Sequence, residues 1–457
     1  MNPGEPILKI LLCIVVVGLV LAGLVALAPA PANAQSVGLV GRSDIPLSQY
    51  STDVWGWVDP VTQKEYALVG NNATGVHFVD VSDPEHPFIA VTIDSVPKFD
   101  IKTWGSYMYT VDGNYSFAGG DGAITDISDP FNPVVVGSFR AGHNVFIDDL
   151  GYMYVTFPGL QIFDLNPDPS SPQLVWTKTS AEGHDVTVEG DRMYDFHGHD
   201  GTFIYDVSDR SSPVLLGGIT DPSIIFHHSG WTSADGDYLF INDEFAVTPA
   251  PDFTVWDISV PSSPVRVGMV GDPTATVHNS YRIGDYLYMS YYTAGFRVYD
   301  ISDPAFPFLA GEYDTSPLTG EYDFRGAWGC YPFSPSQYIY INDRTGGFFI
   351  FSFDSTLVAV TPGVPAPFEL RGNYPNPFNP ATTIRYELSA RSRVTLDVVD
   401  VTGRTIRTLA DDWQAAGAHS VVWDGKGGGG ERVSSGVYFC RLRAPGFTRS
   451  IKMTLVE

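Results

Sequence analysis

The stretch Tyr205–Gly217, YDVSDRSSPVLLG, is apolar at both ends and a turn in the middle, and Tyr299–Gly311, YDISDPAFPFLAG, nearly repeats it. Further copies begin at Val79 (VDVSDPEHPFIA), Thr125 (TDISDPFNPVVVG), Phe163 (FDLNPDPSSPQLV) and Trp256 (WDISVPSSPVRVG). Their leading aspartates, Asp80, Asp126, Asp164, Asp206, Asp257 and Asp300, stand 38 to 51 residues apart. A degenerate seventh copy is GGFFIFSFD, Gly346–Asp354, where Phe351 takes the aspartate's place. A period in the forties suits a four-stranded propeller blade. Helical repeats of similar length are excluded by short segments rich in Val, Ile, Tyr and Phe and broken by Gly and Pro.

Each copy has a physical reading. The Asp and Ser side chains can bond nearby backbone N–H groups and so stop an apolar strand in a turn. A proline then fixes φ, and a second opens the next strand where no ladder hydrogen bond is required of it. The same carboxylates are of the type that ligates calcium, but the turn reading requires no ion. Four strands fit each repeat. In the sixth they are HNSYRI, YLYMSYY, GFRVYDIS and PFLAGEY. The seventh repeat lacks an outer strand after Asp354, and SVGLVGRSD, Ser36–Asp44, resembles one. The expectation is that residues around Val37–Val40 complete the last blade and close the ring.

The chain has 457 residues. Residues 1–34 read as an export signal, an apolar run ending in the small-x-small pattern Ala32-Asn33-Ala34, with cleavage after Ala34. The run is long enough that an uncleaved membrane anchor is the alternative. Cys330 and Cys440 lie far apart in sequence, which argues against a disulfide framework. Charge is uneven: residues 35–363 hold 13 basic and 42 acidic side chains, and residues 364–457 hold 12 and 9. Such a body repels nucleic acid and anionic membranes, so contact with a membrane is expected only through the signal or an anchor.

A proline-rich boundary, TPGVPAPFELRGNYPNPFNP, spans Thr361–Pro380, and about seven short alternating stretches follow, as in a small β-sandwich. DGKGGGGERVSSG is a turn region; it lacks the Gly-Lys-Ser/Thr ending of a phosphate loop. The fold expected is all-β: a seven-bladed β-propeller followed by a small Ig-like sandwich. Its parts are a signal peptide at 1–34, a propeller at 35–355, a linker at 356–372 and a C-terminal domain at 373–457.

These residues resemble known families. The repeats are similar to the LVIVD type. The set DVWGWVDPVTQKEYALVG, GVHFVDVSDP, FHHSGWTSADGDYLFINDE and VHNSYRIGDYLYMSYYTAGFRVYDISDP, with RGAWGCYPFSPSQYIYINDR, resembles the choice-of-anchor B family. The tail, with NYPNPFNPATTIRYEL, VVDVTGRTIRTL, HSVVWDGKG and SSGVYFCRLRA, is similar to FlgD-like Ig domains, which serve as sorting domains of bacterial type IX secretion. The resemblance implies a bacterial protein exported through the periplasm to the outer surface or medium, with the type IX machinery as a partner of its tail.

Chemistry would sit where the first strands begin. Six blades open with a polar residue, in four of them a polar pair: Asp53-Val54, Asp100-Ile101, His143-Asn144, His184-Asp185, His227-His228 and His278-Asn279; the seventh diverges at Arg325–Trp328. Innermost strands line a propeller's channel, so His143, His184, His227 and His278 are expected to converge at one mouth. His228, Asp185, Asn279, Asp243 and Glu244 should lie nearby. Neutral imidazoles with carboxylates are divalent-metal chemistry, and His184, His227, His278 and His199 are the candidate ligands. Polar residues that only bond buried backbone and water would look the same in sequence. No nucleophile elbow, zincin helix or dinucleotide loop is present. Two readings stand: a non-catalytic surface propeller that binds a glycan, a protein or a cation, and a metal-dependent hydrolase or lactonase at the same mouth.

Overall fold

The computed structural model describes residues 37–43, 51–113, 120–157, 159–179, 183–246, 250–272, 275–316, 323–355, 369–388, 392–401, 403–414, 417–444 and 447–456. The export signal and its cleavage point at Ala34 lie outside them. Among the described residues no helix is long and apolar enough to cross a membrane. The chain divides into two compact units, Met1–Val358 and Ala359–Glu457.

Among the described residues, the first unit contains seven four-stranded antiparallel sheets. Their innermost strands are Ser51–Val58, Asp100–Trp104, Val145–Ile147, Asp185–Glu189, His227–Thr232, Ser280–Ile283 and Ala327–Tyr331. Each touches the next in that order and the last touches the first, so the sheets are blades of a closed ring. We number the blades in that order. Middle strands such as Tyr238–Asp243 are buried along nearly their whole length, because each sheet packs between two others. Outer strands are half exposed, and their first residues, including Phe88, Val134, Val214, Val265 and Phe308, face solvent.

The repeated phrase works as a turn. In all six copies the leading aspartate accepts a hydrogen bond from the N–H two residues on: Asp80 from Ser82, Asp126 from Ser128, Asp164 from Asn166, Asp206 from Ser208, Asp257 from Ser259 and Asp300 from Ser302, at 2.8–3.0 Å. The apolar residue between them, as in Val207, Ile258 and Ile127, is fully buried. The carboxylates are thus occupied by backbone.

The ring closes with the N-terminus. Val37–Ser43 pairs antiparallel with Gly347–Phe353, with Val37 opposite Phe353 and Leu39 opposite Phe351. This is the outer strand that the seventh repeat lacks. Side chains also stitch neighbouring blades together. Thr156 donates to the carbonyl of His184 at 2.6 Å, Asn242 to that of His278 at 3.2 Å, Ser290 to that of Trp328 at 2.8 Å, and Asn342 to that of Thr52 at 2.8 Å. Each donor sits on a second strand and each acceptor opens the first strand of the following blade.

The second unit is a sandwich of a three-stranded sheet (Glu369–Tyr374, Thr382–Leu388, Gly417–Trp423) and a four-stranded sheet (Thr405–Gln414, Ser392–Asp400, Gly436–Ala444, Phe447–Leu455). Its core holds Leu370, Ile384, Leu396, Trp423, Cys440 and Met453. One boundary needs correction. Residues 369–372, expected in the linker, begin the strand Glu369–Tyr374, because Leu370 is buried in this core and pairs with Tyr386. Cys330 and Cys440 are free and buried, one in each unit.

Candidate functional site

The residues that open the first strands form a collar around the channel. Six flat side chains follow one another with ring centroids 4.2–5.0 Å apart: Phe99, His143, His184, His228, His278 and Trp328, with Trp328 returning to Phe99. They come from blades two to seven in order. Blade one supplies Thr52, whose hydroxyl bonds the carbonyl of Lys98. The four histidines are 1–5% exposed. A polar layer of Asp100, Asn144, Asp185 and Asn279 lines the void beside them. With the collar, this layer leaves about 10 Å³ open to the centre of a water-sized sphere, room for roughly one water or one bare ion.

Backbone holds the collar in place. Nδ1 of His278 lies 2.9 Å from the carbonyl oxygen of Trp328, and Nδ1 of His184 lies 3.3 Å from that of His228. A carbonyl only accepts, so Nδ1 of His278 carries the proton and the lone pair of the neutral ring is on Nε2. That atom faces Glu244, at 4.0 Å, and Nε2 of His228 is 3.5 Å from the same carboxylate. Tyr292 donates its hydroxyl to Glu244.

The four histidines are not equivalent. Burial holds His143 and His228 well below the usual value, helped by neighbouring imidazoles, and pushes His278 down to about 3. Burial also opposes a charge on His184, but the Asp185 carboxylate 3.1 Å away, and then Glu244, outweigh it and raise the group. Of the four rings, His184 is thus the one whose surroundings favour a proton. Two sets have ligand atoms within 4.8 Å of one another: His143, His184 and Asp185; and His184, His228 and Glu244. His184 is common to both. Coordination bonds near 2 Å would draw either set slightly inward around a single ion.

One level further along the channel, Lys102 is locked between carboxylates. Its Nζ is 2.9 Å from Asp53, 2.5 Å from Asp100 and 3.0 Å from the carbonyl of Ile101, and lies 4.4 Å from the ring centre of Trp55. Burial pushes the Asp53 carboxyl well up, whereas at Asp100 burial is outweighed by Lys102 together with hydrogen bonds from Asp53 and the Val145 N–H, and the group is lowered.

The structure brings together His143, His184, Asp185, His228, His278, Asn279 and Glu244. It separates three others. His227 is not in the collar. The ladder shifts register between His227 and Ser229, so the extra residue, His228, takes the collar position. His227 packs between blades, its Nδ1 2.8 Å from the Thr202 hydroxyl, and burial lowers it to about 4. His199 is exposed on the rim, its Nδ1 2.9 Å from the carbonyl of Ile225. Asp243 accepts from the N–H groups of Ile225, Phe226 and Phe245 and so shapes a loop; burial raises it to about 6. Phe99 and Lys102 are site residues that reading for polar pairs missed, and Trp328, from the divergent opening of the seventh blade, completes the collar. Aligning the blades on the apolar residue after each pair, as in Phe99-Asp100-Ile101 and His143-Asn144-Val145, would have exposed the first.

The LVIVD repeat family matches residues 63–94, 99–141, 182–221, 232–272 and 283–315, and the FlgD Ig-like domain family matches residues 379–445. No curated protein is significantly similar to this chain. Solved structures with a similar build include PorZ, an essential bacterial surface component of the type-IX secretion system of Porphyromonas gingivalis, at 12% identity and a TM-score of 0.34 over 86% of this chain. The chain covers 64% of the PorZ chain, less than two thirds. BamB from Moraxella catarrhalis is similar at 11% identity and a TM-score of 0.43, over 70% of this chain and 98% of its own. A putative 6-phosphogluconolactonase from Bacteroides fragilis is similar at 11% identity and a TM-score of 0.47, over 70% and 95%. Likeness at these levels bears on no activity.

Proposed function

We propose that this chain is an exported, non-catalytic binding propeller of the bacterial surface or medium. Its C-terminal FlgD-like domain serves as the address read by type IX secretion, and its propeller is the part that binds. In this reading the chain is a choice-of-anchor B protein. The observation that supports the non-catalytic half is the closed collar: the void lined by His143, His228, His278, Asp100 and Asp185 is about 10 Å³, room for an ion and not for a substrate. The export half is supported by the FlgD Ig-like match and by the reversal of charge between the two parts of the chain.

The collar's role is to fix the first strands and, with a divalent ion on His184, to tie two neighbouring blades together. Turnover tests this reading. Full-length protein supplied with Zn²⁺ is assayed against lactone, carboxylic ester and phosphoester substrates beside the His184→Ala/His228→Ala variant. No activity above that variant is expected. Turnover that the double substitution abolishes contradicts the reading and favours the hydrolase.

A further inference from the structure

The far end of the channel is unlike the collar. Along each first strand, residues two apart face the channel, and beyond the Lys102 layer they turn aromatic. Trp55, Trp104, Phe146, Trp231, Tyr331 and Phe333 wall a cavity of about 550 Å³, with Asp148, Asp149 and Glu189 on its lining. A volume of this size suits a small ligand or an inserted side chain.

The rings form walls and not a platform. Trp55 meets Tyr331 at 64° and 4.8 Å, Tyr331 meets Phe333 at 79° and 5.7 Å, and Phe146 meets Trp231 at 56° and 6.1 Å. A flat sugar ring stacks on a flat face, whereas inclined rings present their negative faces to a compact centre. The protein already uses that chemistry on a residue of this wall: the Lys102 ammonium stands 4.4 Å from the centre of the Trp55 ring. That charge is answered by Asp53 and Asp100 at 2.9 and 2.5 Å. At the rim, Glu189 is paired with Arg282 at 2.6 Å and Asp148 with Arg210 at 3.3 Å. Asp149 is exposed and makes no ion pair among the described residues. The surrounding body, residues 35–363, has 42 acidic and 13 basic side chains, so its field draws cations and turns anions away.

We propose that this aromatic cup binds a compact organic cation: an alkyl- or methylammonium group, carried by a small molecule or by a side chain of a partner. The proposal rests on the reading of the propeller as a binding part and names the ligand class that it takes.

Choline and tetramethylammonium are the probes, titrated into the full-length protein by calorimetry. Controls are 3,3-dimethylbutanol, the uncharged shape of choline, and a neutral hexasaccharide. One saturable site for choline is expected, weakened at least tenfold by Trp104→Ala and about threefold by Asp149→Asn, with melting temperatures checked for both variants. The alcohol should bind at least tenfold more weakly than choline. Equal binding of choline and the alcohol, or no binding of either cation, overturns the proposal. A hexasaccharide bound through Trp104 in place of choline also overturns it but leaves the binding propeller standing. Turnover at the collar would instead remove the reading on which it rests.

Discussion

The imidazoles of His184 and His228 stand 4.4 Å apart, centroid to centroid, and Nδ1 of His184 lies 3.3 Å from the carbonyl oxygen of His228. A side chain of one blade is thus held by the backbone of the next, and the two rings share a carboxylate neighbour in Glu244, 3.5 Å from His228. Both ligand sets of the collar pass through His184, so it decides the site's metal chemistry.

Zn²⁺ titrated into the protein should therefore fill one site. His184→Ala should abolish it and His227→Ala should leave it intact, as His227 lies outside the collar. Zinc must displace the proton of His184, whose proton affinity is raised, so binding should weaken as pH falls from above 6.5. Calorimetry at several pH values checks this. Zinc retained by His184→Ala would contradict the assignment.

Ring closure depends on few residues. Removing everything before Ser51 should expose the edge of Gly347–Phe353 and leave the buried Phe351 without its partner strand. A drop in melting temperature of more than 10 °C, or aggregation, is expected. Asn342→Ala should be milder, costing about 1–3 kcal/mol, because it strands the buried carbonyl of Thr52. Thermal unfolding of both variants tests the closure; an unchanged midpoint in the truncated protein would contradict it.

His227 should make the propeller sensitive to acid. Burial lowers it to about 4 in the folded chain, against about 6.5 when unfolded. At pH 7 both states are neutral and the folded state has its full stability. As pH falls below about 6.5 the unfolded chain gains a proton that the folded chain refuses until about pH 4. Stability on the order of 3 kcal/mol is lost across that window. His227→Gln should flatten this part of the curve. Equal slopes for the two proteins between pH 6.5 and 4 would show that His227 is not the group responsible.

The fold was legible because its signals are local and repeated. Five Asp-x-Ser turns and one Asp-x-Asn turn mark six blade corners, and the apolar strand Val37–Ser43 answers the missing strand at the end of the ring. The collar was half legible. His143, His184 and His278 open their strands directly, so position in the repeat placed them. His227 and His228 are adjacent, and a bulge, which no periodicity announces, decides which one faces the channel. Phe99 was hidden because a search for polar residues passes over aromatic ones, and Trp328 showed only as part of a divergent opening. The cup was hidden because its rings are apolar residues of innermost strands, alike in sequence whether they fill a core or wall a cavity.

The central claim is export by the tail with binding by the propeller, and localisation tests it most directly. The full chain and a chain ending at Val358, where the first compact unit stops, are expressed in a bacterium with a working type IX system and in the same strain lacking it. Fractions are then probed for folded, protease-resistant propeller. The account predicts the full chain at the surface or in the medium only when the system works, and the shortened chain folded but held in the periplasm of both strains. Shortened chain reaching the outside as well as the full chain would contradict it.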